Sequence, residues 1–232
     1  MEIVNTTFVT NRSAMTLASG VHATVLANGN GSHLALVNCA FDGNFVTGGT
    51  DGADVVQVGA NENTGLAVWN SVLWGEGEYR PFAFAAALRP IFAHSAVRNY
   101  DPTTVLQDGK NGFVTNMTAL TAHPFAAKDV TVGEIPHRAV DGADRTLAKL
   151  GRPYWRGTDG NVYFLDTQTQ PAKPWRLMAN KTVFRTLVEA EALGLSDVNP
   201  GVPDAAGVAR RKYRWSLGPL QPPPRGLTIY VR

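Results

Sequence analysis

Short apolar runs recur along the first hundred residues, and each is broken by an asparagine and a small residue before the next apolar position. The copies begin at Ile3, Leu36, Val68 and Phe92, and the last one is degraded because His94 stands where the asparagine is expected. The steps between copies are 33, 32 and 24 residues. A unit that returns at such steps predicts a fold built by stacking repeated elements.

Each copy has the composition of short β-strands joined at tight corners. Val, Ile, Leu, Phe and Thr dominate the copies, and these residues fit a pleated, half-buried surface. Gly, Asn, Asp and Ser surround them, as at 28–32 and 48–52, where such residues end strands. Further apolar runs at 23–26 and 54–58 predict two or three strands per repeat. No window shows a sustained helical period.

Two architectures fit this pattern, a β-sandwich of antiparallel hairpins and a parallel β-helix in which each repeat is one coil. Asn5, Asn38 and Asn70 hold the same place in three copies. A ladder of stacked amides needs the same residue at the same corner, which favours the helix, with His94 as a substitute in the fourth copy. The competing explanation is that asparagine favours turns wherever strands end.

The repeats resemble a known family. The phrase from Ile3 to Asn11 is similar to the "L-T-I-V-N-S-T-F-S-G-N" repeats of the pectate-lyase-like superfamily, especially of large bacterial surface proteins with a choice-of-anchor Q region. That region ends in D-x-x-G-x-x-R followed by D-I-G-A-Y-E, and residues 204–210 and 216–221 have a similar spacing. Ser216 and Gln221 replace the acidic residues of the second motif. The similarity covers 1–100 and 200–221, whereas 101–200 match poorly.

The resemblance implies an all-β fold, a right-handed parallel β-helix or solenoid with an irregular α+β C-terminal cap. We expect coils over 1–135 and a capping segment with short helices over 136–221. Within that segment, helices are expected from about Asp144 to Leu150 and from Thr186 to Leu195. Residues 222–232 read as a Pro-rich spacer and a terminal strand.

Composition narrows the partners and the compartment. A net charge of +2, from 21 basic and 19 acidic residues, gives no reason to expect nucleic acid. No apolar stretch is long enough for a membrane span, and no signal peptide is predicted after Met1. The single cysteine, Cys39, is expected to be a small buried residue. Because the chain starts inside a repeat, we expect Met1 to be an added start on a longer protein, or an open end that another subunit covers.

Catalytic chemistry has weak support. Enzymes of the resembled superfamily carry carboxylates on strands, and Asp42 and Asp51 are the candidates here, although turn formation explains both because they lie beside glycines and other turn formers. The histidines are scattered and lack metal-ligand spacing, so neither a metal site nor a cofactor is expected. Calcium is the one ion that the Asp-rich corners could hold.

The aromatic residues suggest a binding surface. Trp74 and Tyr79 lie near each other in sequence, and Tyr154 and Trp155 form a second pair. Exposed Trp and Tyr provide flat platforms for sugar rings and anchors for protein interfaces, so these four residues are candidate contacts for a sugar or a partner. Trp69 stands at an apolar position of the repeat and is expected in the core.

These observations favour a non-catalytic structural, adhesive or assembly module, extracellular or at the cell surface. Its end strands would join a protein partner or another copy of the chain. The alternative is a carbohydrate-binding or polysaccharide-degrading protein, which rests on the resemblance and on the aromatic residues. A fold by itself does not imply either function.

Overall fold

The computed structural model describes residues 2–14, 23–28, 33–47, 53–58, 65–76, 82–84, 91–99, 113–115, 117–140, 147–150, 154–156, 162–166, 173–176, 183–184, 204–208 and 217–220. In chain order, the strands up to residue 120 are β1 (Glu2–Val4), β2 (Thr7–Val9), β3 (Arg12–Ala14), β4 (Ala23–Asn28), β5 (His33–Val37), β6 (Ala40–Thr47), β7 (Ala53–Val58), β8 (Gly65–Trp69), β9 (Val72–Gly75), β10 (Phe82–Phe84), β11 (Ile91–Ala93), β12 (Ala96–Arg98), β13 (Phe113–Thr115) and β14 (Thr118–Leu120). The later elements are β15 (Val130–Val132), β16 (Ile135–His137), helix α1 (Leu147–Leu150), β17 (Tyr154–Arg156), β18 (Val162–Asp166), β19 (Lys173–Arg176) and β20 (Val183–Phe184).

The repeats pair with one another in parallel sheets. The first sheet has the strand order β1-β5-β8-β11-β13, the second β2-β6-β9-β12-β14, and the third β4-β7-β10. Strand β3 pairs with the far end of β6. Equivalent positions lie opposite one another, so that Ile3 faces Leu36 and Phe8 faces Phe41. The spacing of the apolar phrases therefore predicted which strands pair.

The predicted right-handed parallel β-helix is nevertheless wrong. The described strands lie mostly in parallel sheets, but within the described residues no sheet closes and the sheets do not form a solenoid. The reason for the error is physical. A repeated corner specifies strand-to-strand pairing within each sheet, and open sheets satisfy that pairing as well as closed coils do.

The expected α+β cap is also corrected, because the described part of 136–221 holds few helical residues. Helix α1 has only four residues, while β17, β18, β19 and β20 form an antiparallel sheet. Strands β15 and β16 form a separate antiparallel pair. The helix expected over 186–195 and the terminal strand after 222 lie outside the described residues. No described helix has the length and apolarity needed to cross a bilayer.

The corner between the first and second sheets repeats from copy to copy. Asn5, Asn38, Asn70 and His94 all have positive φ angles, of 52°, 53°, 51° and 49°. Asparagine tolerates this left-handed conformation better than most residues because its short amide bonds locally. The Asn38 Nδ2 donates a hydrogen bond to Asn5 Oδ1 over 3.1 Å, which confirms the predicted contact between these two amides. His94 is buried beside Trp69, with ring centroids 4.9 Å apart.

The core lies between the first two sheets and continues from copy to copy. Its fully buried members are Leu36, Cys39, Phe41, Val68, Leu73, Phe92 and Val97. Phe8 stacks on Phe41 with centroids 4.5 Å apart, which extends the core towards the first copy. Trp69 is buried, as its place in the repeat predicted.

The second sheet is buried on its other face as well. Ala40, Val72 and Ala96 pack there against a second apolar cluster, whose other members are Leu120, Phe125, Val140, Leu147 and Leu217. Small side chains on the sheet allow the covering segment to approach closely. The Gly218 N–H donates to Asn70 O over 2.8 Å, and a Cβ at Gly218 would lie 3.9 Å from the Ala40 Cβ.

Replacing Asn38 tests the corner. Asn38→Ala is expected to lower the free energy of unfolding by about 2–4 kcal/mol, since it removes the amide contact and places alanine at a left-handed φ. Asn38→Gly is expected to cost about 1 kcal/mol less because glycine relieves the strain. Denaturant unfolding measures both, with the exposed Asn99 (φ 54°) as the site of a control alanine substitution. Equal losses at 38 and 99 would contradict a structural role for the amide contact.

Cys39 predicts an alkaline limit to stability. Burial raises the pKa of its thiol from 9.0 to about 12, so the folded chain keeps a proton that the unfolded chain releases. Stability is complete below pH 9.0 and is expected to fall by up to about 1.4 kcal/mol per pH unit above it. Denaturant unfolding between pH 8 and pH 11 measures the slope, and Cys39→Ser should reduce it. Rapid alkylation of the native thiol near pH 8 would show that the burial is wrong.

Candidate functional site

The structure brings together two of the residues that the sequence singled out. Asp42 and Trp74 lie opposite each other on the neighbouring strands β6 and β9. Tyr154 and Trp155 belong to β17, where they pair with Phe164 and Tyr163 of β18. The other two candidates, Asp51 and Tyr79, fall outside the described residues.

Asp42 is the centre of a charged cluster on the outer face of the second sheet. Its side chain is only 8% exposed, and two groups from the segment 121–140 contact its two oxygens. His123 Nε2 lies 2.9 Å from Oδ1, and Arg138 Nε lies 2.6 Å from Oδ2. Arg138 also contacts Asp129 through Nη1. We call these four residues the Asp42 cluster.

The contact between Arg138 and Asp42 is an ion pair rather than a well-directed hydrogen bond. The distance is short, but the Nε–H does not point at an acceptor, so Nε is buried without a hydrogen bond. The Arg138 backbone N–H donates to Thr7 Oγ1 over 3.3 Å, and His137 Nδ1 lies 3.4 Å from the same hydroxyl. The segment therefore contacts both β2 and β6 through polar groups.

Trp74 is half-buried and its ring is not a free platform. The Arg98 guanidinium lies 5.1 Å from the ring centroid, which is within the range of a cation–π contact. His123 meets the ring edge-on, with centroids 5.7 Å apart. A sugar stacking on this ring would have to displace one of these neighbours.

The chemistry of the Asp42 cluster is that of a tether. The carboxylate is compensated by an arginine and contacted by a histidine, so it does not form the pair of acid and base carboxylates that glycoside hydrolysis uses. Its contacts fix the segment 121–140 on the sheet. Within the described ranges, no group of three or more His, Cys, Asp or Glu side chains is arranged to hold a metal ion.

The outer strands of the three parallel sheets form a second candidate feature, which we call the N-terminal edge. It comprises β1, β2 and β4, each the outermost strand of its sheet, and no described strand pairs with their outer sides. Ile3 and Phe8 are half-buried there, whereas their counterparts in the next copy, Leu36 and Phe41, are fully buried. The sheets thus end in apolar positions that are incompletely covered.

The backbone of this edge offers hydrogen-bonding groups to a further strand. Asn5 N–H donates to Val37 O, and Thr10 N–H donates to Asp42 O. Because both groups of a residue point to the same side in a parallel strand, and the sides alternate along it, the amides of Val4, Thr7 and Val9 point outward. Unpaired strand groups of this kind are a template for pairing with another chain.

His123, Arg98 and Arg138 were missed by sequence reasoning. Arg98 follows the degraded fourth copy, and its register opposite Leu120 places it beside Trp74 only once the strand pairing is known. His123 and Arg138 lie in the non-repeating segment 121–140, where no periodic signal predicts contacts with β6. The one available clue was the acidic residue at Asp42, which stands on an otherwise apolar face and needs a partner.

Asp42→Asn is expected to loosen the segment 121–140. It removes the charge that Arg138 faces, at an expected cost of about 1–3 kcal/mol in unfolding free energy, since Arg138 keeps Asp129 as a partner. Hydrogen exchange in 123–140 should rise while exchange in β8 and β9 stays slow. Asp129→Asn is the matched control, because its more exposed ion pair is expected to be worth about 0–1 kcal/mol. An equal effect of the two changes would contradict the tether.

Comparison of the chain with protein-family models, with curated proteins and with solved structures finds no match in any of the three.

Proposed function

We propose that the chain is a non-catalytic structural or adhesive module, extracellular or at the cell surface, that assembles with a protein partner or a copy of itself through its strand edges. The observation that carries this proposal is the N-terminal edge. Strands β1, β2 and β4 are the outermost strands of their sheets on one side, with half-buried apolar side chains and outward amides.

Strand addition is the binding mode that such an edge supports. The backbone groups of an added strand provide affinity, while side chains at alternate positions provide specificity. Half-buried Ile3 and Phe8 would gain apolar contacts when a further strand covers them. The net charge of +2 is small, so charge repulsion between copies opposes assembly only weakly.

The non-catalytic part of the proposal is supported by the state of Asp42. Its carboxylate is buried and compensated, which suits it to hold a segment in place rather than to exchange protons with a substrate. The outer face that carries it is covered by the segment 121–140 and by Leu217.

A second candidate function is binding of a polysaccharide. What favours it is the group of Trp74, Arg98 and the half-exposed His123 at one place on the second sheet. Aromatic and cationic groups together suit sugars that carry acidic substituents. The contacts that already cover the Trp74 ring count against this candidate, so we rank it below assembly.

The native mass of the particle tests the proposal. Light scattering over a range of concentrations is expected to give a mass above the 24.9 kDa of one chain. Val9→Pro removes an outward amide and should lower that mass, whereas Val9→Thr keeps the amide and should leave it unchanged. Circular dichroism checks that both variants are folded.

Hydrogen exchange of Val4 and Val9 separates the outcomes if the chain is a monomer. Rapid exchange of these amides would mean an open edge awaiting a different protein, as the proposal allows. Strong protection in a monomer would mean that the chain itself covers its edge, which would overturn the assembly function. Binding or cleavage of a polysaccharide by such a monomer, lost on Trp74→Ala, would establish the second candidate.

A further inference from the structure

Resting on the assembly function proposed above, we infer that the partner of the N-terminal edge is a second copy of this chain, stacked head to tail. Strands β13 and β14 of one copy would pair in parallel with β1 and β2 of the next. Four independent features of the structure fit this arrangement.

The first feature is a series of side chains just after the corner, where each backbone N–H finds the side chain of the following copy. Cys39 N–H donates to Ser71 Oγ over 3.1 Å, and Ser71 N–H donates to Ser95 Oγ over 3.1 Å. The Ser71 hydroxyl itself donates to Trp69 O, two residues earlier, over 3.0 Å. Each side chain in the series therefore accepts from the copy before it.

Thr6 presents the same arrangement at the N-terminal edge. Its hydroxyl donates to Val4 O over 3.0 Å, which is the contact that Ser71 makes with Trp69. The hydroxyl lone pairs are thereby turned to the outer side, where an N–H of an added copy would lie. The half-buried Thr6 is thus set to accept a hydrogen bond from a strand that continues the series.

The second feature is the matching donor at the other end of the sheets. The pairing of Thr118 with Ala96 places Met117 at the position that Ser95 holds in the preceding copy. Thr118 N–H donates to Ser95 O, which turns the Met117 N–H to the outer side by the alternation of a parallel strand. A second copy stacked head to tail would bring this N–H to Thr6 Oγ1.

The third feature is the direction of the outward backbone groups on β2 and β14. Val9 points outward on β2, and by the same alternation Ala119 points outward on β14. No described strand occupies the outer side of either one. Both edges belong to the second sheet, so their strands run in the same direction and their pairing would be parallel.

The fourth feature is the fit of the apolar ends. Phe8, Phe41, Leu73, Val97 and Ala119 occupy one continuous column of paired positions across the second sheet. The column begins with a large half-buried ring at Phe8 and ends with a small exposed side chain at Ala119. Stacking would place the ring over the alanine. Met117 is half-buried against the same core and would be covered in the same step.

A head-to-tail contact has a consequence for symmetry. The two surfaces differ, so the contact is heterologous, and repeated stacking gives an open assembly unless its rotation closes a ring. A dimer of two N-terminal edges would instead oppose one Thr6 hydroxyl to the other and leave the amide of Met117 unused.

Two blocked variants distinguish these arrangements. Val9→Pro blocks the N-terminal edge and Ala119→Pro blocks the edge at β14, while Val9→Thr and Ala119→Val keep the amides as controls. Each proline variant alone is expected to have the mass of one chain, 24.9 kDa. An equimolar mixture is expected to form a one-to-one dimer and nothing larger, because each variant supplies the edge that the other lacks.

Other results would overturn the inference. A dimer of Ala119→Pro alone, with Val9→Pro monomeric, would indicate pairing between two N-terminal edges. A monomeric parent chain with rapid exchange at Val9 would refute self-stacking while leaving the assembly function in place for a different protein. A parent monomer with protected edge amides would remove both.

Substitution of Thr6 gives a test that does not depend on proline. Thr6→Val is expected to raise the dissociation constant of the stacked copies by roughly threefold to tenfold, the effect of one lost hydrogen bond. Thr6→Ser keeps the hydroxyl and should match the parent chain. Melting temperatures of the isolated variants control for the lost contact with Val4 O. Equal dissociation constants for the Val and Ser variants would refute the docking geometry.

Discussion

The left-handed corner at Asn5, Asn38, Asn70 and His94 is the constraint on which the other features depend. It turns the chain from the first sheet to the second at the same point in every copy, so that the strands before and after it meet their counterparts in register. A residue that could not adopt a positive φ would shift the chain by a position and invert which side chains face the core. The asparagines thereby hold the apolar columns in line, although they contribute little apolar surface themselves.

The second sheet is used on both faces, and this determines where polar residues can stand. Its inner face packs on the first sheet, and its outer face is covered by the segment 121–140 and by Leu217. An acidic side chain on such a face must be compensated, which explains why Asp42 has both His123 and Arg138 as partners. The covering segment is held at one end of the sheet by charge and over the rest of it by apolar contacts.

Much of the strand pairing could be predicted from the sequence, because the interval between repeats is itself the register of a parallel sheet. The corner asparagines and buried Trp69 followed from the same repeat. Closure into a solenoid could not be predicted reliably, since it depends on the paths between sheets rather than on the repeated corner. Of the candidate site, Asp42 and Trp74 were identified, but not their partners. His123 and Arg138 come from a non-repeating segment whose position is decided only by packing in three dimensions.

Cys39 interrupts a series of oxygen acceptors with a sulfur atom. Its thiol faces the backbone of Thr6, at the step between the first two copies, where Ser71 and Ser95 provide hydroxyls at the later steps. Sulfur is a weaker acceptor than a hydroxyl oxygen. A mechanical load applied along the stack would therefore meet its weakest link at this step. The first copy would peel away as a unit, and the core behind it would keep its strands.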